Sequence, residues 1–190
     1  GSLRMVSMNL LNYFNGDGSG GGFPTSRGAE SLEDFTQQRA RIIAAIQALD
    51  PAIIAAQELE NDDDSEKSAV ADLASSLNKA AGSEVWTWVK TPTNSPDQTK
   101  KDAIRVGIFY RTDRVHPASA PIFLNDPPFH ERHRPVLAQR FFMQPEEQVT
   151  ELTSAVLVAS VHLKSKGSCP ETGLNSNQND GQACWNAARK

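Results

Sequence analysis

DPAIIAAQELENDDD (residues 50–64) decides the reading of this chain. A short apolar run, Ile53 to Ala56, follows a proline and reads as a buried strand. Within one residue it gives way to Gln57, Glu58 and a cluster of carboxylates ending in Asp62, Asp63 and Asp64. Working outward, Ser31-Leu32-Glu33-Asp34 upstream resembles a capping box. The segment after it places Phe35, Ile42, Ile46 and Leu49 on one helical face, with Arg39 and Arg41 expected off that face. Asp50-Pro51 stops this helix. Leu3 to Leu11 (LRMVSMNLL) has strand character, with Asn9 near its C-terminal end. Strand, helix and strand form a βαβ unit, whose strands are parallel and whose crossover is right-handed. Parallel strands present their C-terminal ends on one edge, where open α/β sheets bind ligands. Asn9 and Glu58 are therefore expected at one rim.

The glycine-rich NGDGSGGGF between strand and helix lacks GxxxxGK[ST] and reads as a flexible loop. A second helix is expected from about Glu66 to Ala81, with Val70, Leu73, Ala74 and Leu77 at helical spacing. EVWTWVK (84–90), IRVGIFYR (104–111), PVLAQRFFM (135–143) and TSAVLVASVHL (153–163) read as strands. A helix is expected near Gln182. Close spacing of the later strands implies antiparallel pairing, so the sheet is mixed and the fold class is α/β.

The 190 residues suffice for one domain with a substantial core, and no apolar run approaches a membrane span. Gly1-Ser2 opens a stretch with no secretory signal, so the chain reads as a mature or excised piece, or one with a cloning scar. Charge is uneven: residues 1–100 carry a net −6 and residues 101–190 a net +2. An acidic chain is a poor passive nucleic-acid binder, because that affinity comes mostly from phosphate neutralisation. It suits an enzyme that handles phosphate with a metal. Cys169 and Cys184 flank a polar, loop-like segment. A disulfide between them would stabilise by about 3 kcal/mol in the chain-entropy model and would imply an extracytoplasmic setting; free thiols are the alternative.

Glu58, straight after a buried strand, needs a partner or a cation. An oxygen-rich site with few protein ligands suits Mg²⁺ or Mn²⁺. A solvated strand-end carboxylate is the plainer alternative. Asp62, Asp63 and Asp64 read as solvated residues at a helix N-terminus, where negative charge is favoured. His162 closes an apolar run beside Lys164 and Lys166, cations that favour phosphate and lower the histidine pKa. There it is either a phosphate ligand and acid or an ordinary strand-end histidine. His130 and His133 in FHERHRP have no third ligand nearby and read as loop residues. Arg134 is suited to bidentate phosphate contact. Asp102, just before IRVGIFYR, either orients His162 or serves a turn.

Taken in order, these residues resemble the endonuclease/exonuclease/phosphatase superfamily, the fold of deoxyribonuclease I. MNLLNYF resembles its first-strand asparagine motif, IIAAQELEN its metal-ligand motif, RVGIFYR and RPVLAQRF its middle strands, and SVHLKSKG its first catalytic histidine motif. FPTSRGAES, the D-x-I-x-VGIFYR form, HLKSKG and the cysteine-bearing loop before WNAAR are similar to a subgroup of bacterial secreted nucleases. The resemblance implies a four-layer α/β sandwich of mixed sheets flanked by helices, spanning residues 1–190 as one domain. It implies metal-dependent hydrolysis of a phosphodiester in nucleic acid, DNA before RNA, by a secreted or periplasmic enzyme using Mg²⁺ or Mn²⁺, with Ca²⁺ an alternative. Glu58 would bind the metal, Asn9 would support metal or phosphate, and Arg134 and Lys164 would contact substrate. His162 would hydrogen-bond the scissile phosphate or protonate the leaving oxygen, and Asp102 aligns approximately with its acidic partner. Neither the family's GD-x-N motif nor its SDH motif occurs here. The expectation is an N-terminal portion lacking roughly the last third of the domain and nearly inactive alone. A phosphatase or lipid phosphodiesterase of this fold, or a non-catalytic phosphate- and metal-binding module, are the other readings.

Overall fold

The structure, a computed structural model, describes residues 3–92, 102–126, 129, 133–143, 155–163 and 172. β1 (Met5–Tyr13), α1 (Leu32–Leu49) and β2 (Ile53–Glu60) form the expected βαβ unit, with β1 and β2 parallel. After α2 (Ala69–Ala81) come β3 (Trp86–Trp88) and β4 (Ile104–Arg111). β4 runs antiparallel to β2 and β3, completing a mixed sheet of order β1-β2-β4-β3. β5 (His116–Pro117), β6 (Ile122–Leu124), β7 (Val136–Phe142) and β8 (Ala155–Ser160) form an antiparallel second sheet centred on β7. The short β5 and β6 have no counterpart in the sequence reading. The helix expected near Gln182 lies outside the described residues.

Capping defines the helices. The Ser31 hydroxyl accepts from the Asp34 amide, and Asp50 in the left-handed region ends α1 at Ile46 O. Ser68 caps α2 through Ala71 N, so this helix starts three residues later than expected. α1 buries Phe35 and Ile46, whereas Leu49 is exposed. Arg39 is not off this face. It lies one turn beyond Phe35, its guanidinium stacks on that ring, and its Nη1 pairs with Asp72 Oδ1 of α2 at 2.7 Å. Asp72 also accepts from the Tyr13 hydroxyl of β1, so one carboxylate ties both helices to the sheet.

The mixed sheet is buried on both faces, and two cores result. Ile54, Ala56, Leu59 and Phe109 pack against α1 and α2 with Leu10, Tyr13, Leu73 and Leu77. Ile53, Val106 and Ile108 face the second sheet with Leu137 and Phe141. Burial of each such aliphatic side chain contributes about 1.5–3 kcal/mol. Helices, mixed sheet and antiparallel sheet are three of the four expected layers, and among the described residues both helices lie on one side. No described helix is long and apolar enough to cross a membrane.

Candidate metal and phosphate site

Side-chain parity along β2 explains the carboxylate that follows its apolar run. Ile54 and Ala56 face the helices, so strict alternation would send residue 58 into that core. Instead Glu58 adopts φ +62°, the register with β4 shifts between Ala56 and Leu59, and Leu59 takes the core position. Gly107 makes the room: a Cβ there would lie 2.6 Å from Leu59 Cδ1. Glu58 is therefore not a residue beyond the strand end, as the sequence suggested. It is a bulge residue inside β2, expelled from the core.

β1 breaks its alternation at the same level. Leu11 and Asn12 have φ +58° and +54°, the register shifts between Asn9 and Tyr13, and Tyr13 regains the core. The Asn9 Oδ1 accepts from Leu11 N at 2.8 Å, and Gln38 Nε2 of α1 donates to the carbonyls of Leu10 and Leu11. Asn9 thus shapes the bulge with its own carboxamide, and the residue it delivers to Glu58 is Asn12. The Asn12 amide donates to Glu58 Oε2 at 3.2 Å, and the Asn12 Oδ1 is buried with no hydrogen-bond partner.

The second sheet supplies the histidine. β8 ends at Ser160, whose buried hydroxyl donates to Ala56 O of β2 at 2.9 Å. Two residues beyond each partner stand His162 and Glu58, with His162 Nε2 3.7 Å from Glu58 Oε1. That is outside hydrogen-bond range. Burial first, then the Arg134 guanidinium, lower the His162 pKa, while Glu58 and Asp102 oppose them. The neutral ring has one donor nitrogen and one acceptor, and Nδ1 is buried without a partner. Lys164 and Lys166, expected to set this pKa, lie outside the described residues, as do Cys169, Cys184 and His130. His133 is described beside Phe129, with 5.9 Å between ring centroids.

Asp102 does not orient His162: among the described residues no hydrogen bond joins them. Its Oδ1 pairs with Arg27 Nη1 and its Oδ2 with Arg134 Nη2, each at 2.9 Å. Asn61 fixes the turn beneath it, donating through Nδ2 to Asp102 O at 2.9 Å and through its amide to Ala103 O. Arg134 is joined to the histidine segment by its amide, which donates to His162 O at 3.3 Å; its Nε is buried and unpartnered.

The aspartates after β2 are also more engaged than expected. Asp62 Oδ2 does take the helix-start amide of Ala69 at 2.7 Å, but burial raises its pKa. Asp64 pairs with Arg105 Nη2 at 3.0 Å and accepts from Trp88 Nε1 and the Thr91 amide. Asp63 alone is held in the solvated manner expected, accepting from Ser65 N. The glycine-rich segment is organised by Asp17, whose Oδ1 accepts from the amides of Ser19 and Gly21.

Glu58 and Asn12 offer a carboxylate and an unpartnered carboxamide oxygen, hard donors of the kind Mg²⁺, Mn²⁺ and Ca²⁺ take. Among the described residues no group of three or more His, Cys, Asp or Glu side chains gathers for a metal. The donors fit an ion that draws its remaining ligands from water and substrate. Asn12, Arg27 and Ser160 had no assigned role in the sequence. Asn12 and Arg27 sit inside the quoted MNLLNYF and FPTSRGAES, whereas nothing in the sequence singles out Ser160.

No family model and no curated protein sequence matches the chain. Solved structures of endonuclease/exonuclease/phosphatase proteins do resemble it. A Bacteroides thetaiotaomicron protein of that family aligns at 17% identity and TM-score 0.49, over 86% of this chain and 52% of its own. The mannosyl-6-phosphatase of Bacteroides thetaiotaomicron VPI-5482 aligns at 18% identity and TM-score 0.46, over 83% and 51%. Humanized D. rerio TDP2 aligns at 14% identity and TM-score 0.47, over 86% and 48%. The chain spans about half the length of these structures.

Proposed function

We propose that this chain is part of a secreted or periplasmic bacterial enzyme that hydrolyses phosphodiester bonds of nucleic acid, DNA before RNA, with Mg²⁺ or Mn²⁺. The observation that carries this reading is the meeting of Glu58 and His162. They come from different sheets, stand 3.7 Å apart without a hydrogen bond, and have Arg134 beside them. Such a pair would take an ion on the carboxylate and a phosphoryl oxygen on the imidazole.

Glu58 and Asn12 would hold the metal, which when bound stabilises charge on the phosphate and leaving oxygen. His162, neutral at pH 7, would donate a hydrogen bond to a phosphoryl oxygen; its lowered pKa favours that role over proton donation. Arg134, joined to His162 through its backbone amide, would supply positive charge to the phosphate and help orient it. None of these residues is assigned as the general base, so the chain alone should be only weakly active. A Cys169–Cys184 disulfide belongs to the same proposal.

The test uses Mn²⁺ alone. Water-proton relaxation should report binding to the wild type and its loss in Glu58→Gln, and the His162 ring signals should broaden with bound Mn²⁺. Nicking of plasmid DNA, slow in the wild type and absent in Glu58→Gln, should exceed any hydrolysis of a phosphomonoester or phospholipid. Undiminished Mn²⁺ binding by Glu58→Gln, with His162 signals unaffected, would remove the basis of the proposal. Faster phosphomonoester hydrolysis would replace the nuclease reading with a phosphatase.

A further inference from the structure

Arg27 comes from the turn between the glycine-rich segment and α1, far in sequence from Asp102, Arg134 and His162. The turn closes on itself through Thr25, whose amide and hydroxyl both donate to Ala29 O at 3.0 Å. Gly28 presses it against the β1 bulge: a Cβ on Gly28 would lie 2.6 Å from Asn12 O and 2.8 Å from Phe14 Cβ. Only the absence of a side chain allows this approach. The adjacent Arg27 is thereby delivered to Asp102 beside the Glu58–His162 pair. Asp102 then carries one guanidinium on each oxygen, both at 2.9 Å. One carboxylate neutralises one arginine, so this triad retains a net positive charge.

The two arginines differ in depth. The Arg134 side chain is 16% exposed and tied to the His162 backbone, whereas the Arg27 side chain is 44% exposed on the outer side of the same carboxylate. We propose that Arg27 is a second phosphate-binding residue. Arg134 takes the phosphate at His162, Arg27 takes a neighbouring phosphate of the same strand, and Asp102 spaces the two guanidiniums. The site is thereby matched to a polynucleotide strand with consecutive phosphates rather than to an isolated phosphomonoester. This rests on the phosphodiester reading above, but phosphate binding needs neither metal nor turnover, so either can fail alone.

The test measures binding of fluorescein-labelled dT12 by anisotropy in EDTA across a salt series. The proteins are the wild-type chain, Arg27→Gln, Arg134→Gln, the double variant, and Arg114→Gln as a control for loss of one positive charge elsewhere. Arg114 instead pairs with Asp50 at the end of α1. Arg27→Gln should weaken binding by about tenfold at low salt, more than Arg114→Gln does, and reduce the salt slope by about 0.7, the value for one single-strand phosphate. The double variant should lose about twice that slope, because the arginines hold separate phosphates. Urea midpoints confirm folding, and Arg27→Gln, an exposed change, decides if Arg134→Gln is unstable. Wild-type affinity in Arg27→Gln, a loss no greater than that of Arg114→Gln, or no dT12 binding by the wild type overturns the proposal. So does a double variant whose slope matches either single one.

Discussion

The backbone amide of Asn12 donates to the carboxylate of Glu58 at 3.2 Å, and both residues hold a positive φ, +54° and +62°. Two adjacent parallel strands thus interrupt their alternation at one level and turn polar groups out of the core together. Left-handed backbone at a non-glycine residue costs about 1–2 kcal/mol, and such strain concentrates where function requires it.

Replacing Glu58 should reveal that strain. Glu58→Ala and Glu58→Gly both remove the carboxylate, but only glycine accepts φ +62° freely. Glu58→Gly is expected to be the more stable by about 1 kcal/mol in urea unfolding, the reverse of the usual order within a strand. Both should lose Mn²⁺ binding.

Asn12→Gly separates the carboxamide from the backbone it sits on. The φ of +54° is retained and the amide still reaches Glu58, while the unpartnered Oδ1 disappears. The urea midpoint should be nearly unchanged, and Mn²⁺ affinity should fall by about tenfold. Relaxation titrations check this; unchanged affinity would remove Asn12 from the donor set.

Gly107→Ala places a methyl group 2.6 Å from Leu59 Cδ1 in a buried position. Overpacking of this kind costs about 1–3 kcal/mol. Leu59→Ala alone should cost about 2–5 kcal/mol, and it should cost less in the Gly107→Ala background, where the clash is relieved and the new methyl group fills part of the cavity. A double-mutant cycle in urea measures the coupling.

Ser160→Ala deletes the buried hydroxyl that joins the two sheets through Ala56 O. About 1 kcal/mol of stability should go with it. Because His162 and Glu58 follow two residues after this bond, Mn²⁺ bound at Glu58 should also broaden the His162 signals less. Ser160→Thr, which retains the hydroxyl, should restore the broadening.

Asp62 makes stability depend on pH in an unusual direction. Burial raises its carboxyl pKa, outweighing the Ala69 amide and Arg105, which lower it. The charged form is therefore disfavoured in the folded state. This opposes folding above the raised folded value and vanishes below the ordinary carboxylate value, where both states are protonated. Asp62→Asn should be more stable than the wild type at pH 7, with the advantage shrinking toward about pH 4. Urea midpoints across that range test the sign.

Much of this architecture was legible from residue patterns. Ser31 and Asp50 mark the ends of α1, Phe35 and Ile46 lie at helical spacing, and IRVGIFYR occupies β4 from end to end. Glu58 and His162 stood out because a polar group beside an apolar run demands an explanation. Arg39 was misplaced because a charge was assumed to be solvated; its position one turn from Phe35 already put it on that face. Asp64 was misread likewise, since its partners Trp88, Thr91 and Arg105 are distant in sequence.

Local patterns determined both described helices and every strand but the short β5 and β6, that β1 and β2 run parallel, and which edge collects polar side chains. Periodicity and capping act over a few residues, so the sequence displays them directly. Tertiary structure alone decided that Asn12 rather than Asn9 meets Glu58, that Asp102 holds arginines instead of the histidine, and that Ser160 bonds Ala56. Each depends on where a strand drops out of register or on contact between segments as many as 104 residues apart, as for Ser160 and Ala56. Only the packing of two sheets and their helices around shared cores selects those pairings.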